Sequence, residues 1–309
     1  MADPASSGAS ASRSWLELAR SSSWQGACFW LTLTIVTFLL LFSGYGALTG
    51  TDPKILHFAM LGGTAGFAAT AFGALLALVL REVAVRTQDM MLGFAAGMML
   101  AASSFSLILP GIDAAQSITG NQMLAAVVVV FGMGLGAALM VGLDRFVPHE
   151  HQQSGRRGPE VQRINRVWLF VLAITLHNLP EGMAIGVSFA DGDMTVGLPL
   201  TTAIALQDIP EGLAIALALR VTGISALRAA LVAVGSGLME PLGAVIGLGV
   251  SSGFALRYPI ALGLAAGAMI FVVSHEVIPE THRNGHETPA TLGLMLGFGV
   301  MMFLDTALG

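Results

Sequence analysis

Nine apolar runs, approximately 24–48, 55–80, 90–112, 118–143, 167–190, 195–219, 229–252, 258–279 and 289–308, make up most of this chain. A helix needs roughly 20 apolar residues to cross the hydrocarbon core of a bilayer, and these runs are of that length. No water reaches the backbone at that depth, so a spanning segment must satisfy its own amides as a helix or close into a barrel. The runs lack the short alternating pattern of barrel strands, which leaves helices. Only 11% of the residues are charged, whereas soluble domains carry about 25%, so a soluble fold is excluded. The chain reads as an all-α, polytopic membrane helix bundle with lipid around it.

Basic residues orient such a bundle, because Lys and Arg accumulate in loops that stay cytoplasmic. If all nine runs cross, twelve arginines from Arg13 to Arg283 collect on one side and only Lys54 and Arg257 on the other. The N-terminus is then cytoplasmic and the C-terminus, near Asp305, lies outside. Residues 1–23, rich in Ser and Ala, read as a disordered cytoplasmic tail. The run 24–48 is longer than a signal-peptide core and reads as a first transmembrane helix. The longest connection, 144–166, is rich in Pro, Gly, Gln and Arg and reads as a mobile cytoplasmic loop. It carries His149 and His151, which either sit in a solvated loop or capture metal weakly. Glycines four apart, such as Gly132/Gly136, Gly243/Gly247, Gly263/Gly267 and Gly293/Gly297, place small residues on one helix face and permit close packing.

Acids inside apolar runs are the costly feature, at about 2.5–3.5 kcal/mol each on insertion scales. The run 167–190 contains HNLPEG (177–182), the run 195–219 contains QDIPEG (207–212), and Glu240 lies in the next. No Arg or Lys within reach in sequence neutralises them. Residues three and four apart share a helix face, so His177 and Asn178 flank Glu181, and Gln207 and Asp208 flank Glu211. The two blocks match position by position in successive antiparallel helices. Pro180 and Pro210 cannot donate a backbone hydrogen bond, which should free the carbonyls of Leu176 and Leu206 as further oxygen ligands. Carboxylates, amides and one imidazole suit a borderline divalent cation better than magnesium, and the set is large enough for two ions bridged by Glu181 and Glu211. Cys28 is the only cysteine, which rules out a thiolate cage. The alternative is a hydrogen-bonded network that merely locks the bundle, an expensive use of four uncompensated acids.

Other candidates are less sharply marked. Met99 offers a thioether or simply fills the core, and Ser103, Ser104 and Ser106 could line a path. His275 and Glu276 lie in SHEVIPE (274–280), which resembles a weaker copy of the two blocks; they form either an inner exit site or a helix-end cap. Asp113 and Asp305 are placed to attract cations at the outer entrance or to solvate the surface.

HNLPEG and QDIPEG in consecutive helices, the His-bearing loop before them and Glu240 after them resemble the Zrt/Irt-like, or ZIP, family of metal transporters, within it the bacterial GufA-type branch. The resemblance covers residues 55–309. It implies an eight-helix core with a binuclear centre, uptake of Zn2+ and related ions such as Cd2+ or Fe2+ into the cytoplasm of a bacterium through its inner membrane, and a homodimer. The first metal site would use Met99, His177, Glu181, Gln207 and Glu211; the second, Asn178, Glu181, Asp208, Glu211 and Glu240. It also implies one helix bundle moving against another. The run 24–48 is then an extra N-terminal helix. An intramembrane metalloprotease would need HExxH, but position 279 is Pro where His275-Glu276 would require the second His. No enzyme activity and no nucleic-acid partner are expected, and the absence of GxxxxGK[ST] argues against ATP-driven pumping. A metal-selective channel is the competing transport reading.

Overall fold

The computed structural model describes residues 52–80, 83–146, 149–151, 155–157, 166–221, 223–251 and 255–308; the tail 1–23 and the run 24–48 lie outside the described residues. Eight long helices follow the other eight apolar runs: α1 (Pro53–Leu76), α2 (Val85–Thr119), α3 (Gln122–Phe146), α4 (Arg166–Ser188), α5 (Met194–Val221), α6 (Ala226–Ser251), α7 (Arg257–Thr281) and α8 (Glu287–Leu308). Apart from one short hairpin, the described residues form an all-helical, multi-pass membrane bundle.

Local chemistry sets the boundaries. Asp52 accepts from the Lys54 amide at 2.9 Å and Pro53 opens α1, where its missing N–H is harmless. Gly120, at φ 65° in the left-handed region, ends α2. The side chain of the next residue, Asn121, accepts from the amides of Met123 and Leu124 and starts α3. Asp193 does the same for α5 through the Thr195 amide.

Three irregularities are invisible to a hydropathy reading. Helix α6 is two pieces, Ala226–Ser236 and Met239–Ser251, separated at Gly237 and Leu238, so Glu240 stands in the first turn of the second piece. A helix N-terminus carries partial positive charge and favours a carboxylate there. Ala102–Ile108 of α2 and Val273–Val277 of α7 are wound as π-helix. Each precedes a proline, Pro110 or Pro279, which removes the amide that would bond back to Ser106 or His275. In the 144–166 connection, His149–His151 pairs antiparallel with Gly155–Arg157; a loop without regular structure was expected, and a short hairpin is found.

The helices form two groups of four. In one, α1 packs along α5 and α6, and α4 along α6; in the other, α2 packs along α8 and α3 along α7. Glycines mark these pairings, because their missing side chains let backbones touch. A methyl added at Gly186 would overlap the Ala244 carbonyl, at Gly136 that of Leu264, and at Gly297 that of Phe94. Every close backbone approach of this kind among the described glycines falls within a group. Between groups, α2 meets α5 and α7 meets α4 through side chains, around an apolar core that includes Met99, Ile185, Leu262 and Met269.

Candidate metal centre

The two blocks lie midway along α4 and α5, and both helices run unbroken through Pro180 and Pro210. The helical stagger turns Asn178 and Glu181 of α4, and Gln207, Asp208 and Glu211 of α5, into the interior, where none is more than 9% exposed. One carboxylate oxygen from each of Glu181, Asp208 and Glu211 lies within 4.8 Å of the others. That spacing lets one ion, or two adjacent ions, touch all three. Glu240 is fully buried beside them, and its backbone carbonyl packs where a methyl on Gly182 would fall. The last residue of HNLPEG is thus the small residue that admits α6.

Hydrogen bonds hold part of this set and leave part open. Gln207 Nε2 donates to Glu181 Oε1 at 2.7 Å, and the Thr70 hydroxyl donates to Glu240 Oε1 at 2.6 Å. His177 Nδ1 stands 3.1 Å from Glu276 Oε2 of α7. Asn178 Nδ2, Gln207 Oε1, Asp208 Oδ2, Glu211 Oε2 and Glu240 Oε2 are buried without a hydrogen-bond partner. Buried polar atoms in native proteins are almost always paired. Four of these five are oxygens, the atoms a divalent cation takes as ligands. Among the described residues, the charged groups acting on the four acids are each other, His177 and Glu276. A cluster of this kind is stabilised by a cation.

The remaining candidates separate. Met99 is fully buried on α2, which packs on α5. Ser106 donates to Asp305 Oδ1 at 2.6 Å, joining two of the entrance residues, while Asp113 stays exposed near the end of α2. His275 and Glu276 are parted: Glu276 faces His177, whereas His275 is exposed with its ring 5.0 Å from that of Phe271. His149 and His151 fall on the hairpin strand, and their side chains lie outside the described residues. Sequence reasoning missed Thr70, which shows no periodic or motif signal, and Asp89, which starts just before an apolar run. Asp89 is buried and accepts from Asn284 at 2.9 Å, with His286 Nδ1 at 2.7 Å, tying the start of α2 to the α7–α8 turn.

The profile of the ZIP Zinc transporter family matches residues 146–305, the half of the chain that holds both blocks and Glu240. The chain belongs to the ZIP family. Among its ZIP relatives, the zinc transporter ZIPB of Bordetella bronchiseptica is 65% identical over 272 residues, 88% of each chain. The zinc transporter GufA of Myxococcus xanthus is 43% identical over 250 residues, 81% of this chain and 97% of that one. The human zinc transporter ZIP11 is 34% identical over 332 residues, with the same coverage. Likeness to ZIPB and GufA places this ZIP protein in the GufA-type branch.

Proposed function

We propose that this ZIP protein carries zinc, and with it cations such as Cd2+ and Fe2+, across the bacterial inner membrane into the cytoplasm through a two-ion centre. The observation that carries the reading is the buried trio Glu181, Asp208 and Glu211, with oxygens within 4.8 Å and, among the described residues, no Lys or Arg acting on them. The first ion would take Met99, His177, Glu181, Gln207 and Glu211. The second would take Asn178, Asp208 and Glu240 together with the two bridging glutamates. Ser106, Asp305 and Asp113 would gather cations outside, and Glu276, His275 and the hairpin histidines His149 and His151 would receive them inside. Transport, rather than chemistry on a substrate, fits a centre whose ligands fill both ions' coordination and leave no HExxH arrangement for an activated water.

Movement would displace α1, α4, α5 and α6 against the other four helices. Backbone-to-backbone glycine contacts make each group stiff, and side-chain contacts between groups can be exchanged at lower cost. The working unit would be a homodimer in lipid.

The test is zinc uptake by vesicles reconstituted with purified protein and loaded with a zinc-sensitive dye. Wild type should saturate with external zinc, and His177→Ala and Glu211→Ala should each lose most of the saturable flux. Flux that stays linear in zinc and ignores both substitutions would replace the bound-site carrier with a channel.

A further inference from the structure

Helix α1 supplies no ligand to either ion set, and no ionisable residue follows His57 in its sequence. It nevertheless touches the centre at two residues four apart. Thr70, 3% exposed, donates its hydroxyl to Glu240 Oε1. One turn earlier, a methyl on Gly66 would overlap Glu240 Oε2 and lie 3.2 Å from Asp208 Oδ2. Those two oxygens accept from no donor group; the two carboxylates face each other and share the space that the absent side chain leaves.

A hydroxyl within a helix ordinarily bonds back to a carbonyl of the preceding turn. Thr64, Ser103, Ser104, Thr202 and Thr306 all do so here. Thr70 instead reaches a carboxylate on another helix, and the backbone is built to bring it there. A methyl on Gly212, the last residue of QDIPEG, would overlap the Thr70 carbonyl, as one on Gly182 would overlap that of Glu240. The glycines ending the two blocks therefore press α1 and α6 inward at the two residues that bond to each other.

We infer that Thr70 is a positioning residue of the second ion site: it occupies Glu240 Oε1 and aims Oε2 at Asp208, while Gly66 provides the room for that pair and its ion. This rests on the two-ion reading above. Partners that orient a metal ligand are commonly worth about 10- to 100-fold in metal affinity.

The test is zinc titration of the full-length protein by calorimetry, with cadmium peaks in anomalous diffraction to tell the sites apart. Thr70→Val keeps the shape without the hydroxyl and should weaken the second ion by about tenfold or more, leaving the first near wild type. Thr70→Ser should restore it. Gly66→Ala and Glu240→Ala should both lose the second ion. Thr70→Val with wild-type second-site affinity, Thr70→Ser as weak as Thr70→Val, or equal weakening of both ions would overturn the assignment. A wild-type protein whose zinc binding is absent, or unmoved by Glu211→Ala, would instead overturn the centre itself and Thr70's role with it.

Discussion

His177, the first residue of the block on α4, reaches out of its helix group to Glu276 of α7. Gln207, which holds the same place on α5, turns inward and donates to Glu181 of its own group. The second positions differ as well: Asn178 presents a buried amide nitrogen, and Asp208 an oxygen beside Glu240. The fifth positions, Glu181 and Glu211, converge. Repetition of a six-residue pattern on two antiparallel helices therefore yields one shared pair of carboxylates and two unequal flanks. One flank couples the centre to the opposing helix group, and the other braces it from within.

The shared pair gives the largest expected effect. If Glu181 and Glu211 both bridge, Glu181→Ala and Glu211→Ala should be equally damaging. Each should remove both ions and bring zinc uptake by reconstituted vesicles to the protein-free background, a loss beyond the roughly 100-fold that an outer partner commands. Retention of one ion by Glu181→Ala, measured as metal per protein after gel filtration, would break the equivalence and make α5 alone the bridge.

The flanks should separate in a double-mutant cycle. His177→Ala and Gln207→Ala should each weaken the first ion, but His177 is paired with Glu276 of α7 and Gln207 with Glu181 of α4. Combining His177→Ala with Glu276→Gln should be non-additive in half-saturating zinc concentration, with a coupling of about 0.5–3 kcal/mol, whereas Gln207→Ala with Glu276→Gln should add within about 0.5 kcal/mol. Equal coupling in both cycles would erase the distinction between the outward and inward flanks.

The eight helices between residues 53 and 308 and the acids on α4, α5 and α6 were legible in the sequence because each rests on a strong local rule. An apolar run of 20 residues has few other fates in lipid, and an acid within one needs a reason to be there. Partners were less legible. Glu276 follows His275 and was paired with it in the sequence reading, yet adjacent helical residues point in different directions, and the π-turn in α7 gives Glu276 to His177. Thr70 lies among Ala, Phe and Gly, and its hydroxyl gives no periodic signal. Its role depends on which helix α1 meets, which is a tertiary fact. The break in α6 at Gly237–Leu238 was hidden because both halves are apolar.

The smallest expected effect concerns the glycines that close the blocks. Gly182 meets the Glu240 carbonyl and Gly212 the Thr70 carbonyl, so the two positions are equivalent where the first residues are not. Gly182→Ala and Gly212→Ala should each force a backbone apart and cost about 1–3 kcal/mol, the usual range for overpacking. In detergent this would read as a melting temperature lower by a few degrees. Gly134 and Gly299 have open space where a methyl would go, so alanine there should be neutral or stabilising by up to about 1 kcal/mol. A fall for Gly182→Ala with none for Gly212→Ala would mean that α6 is clamped to its block and α1 is not. Thr70 would then reach Glu240 from a helix free to withdraw, and the two blocks would differ at their ends as well as at their beginnings.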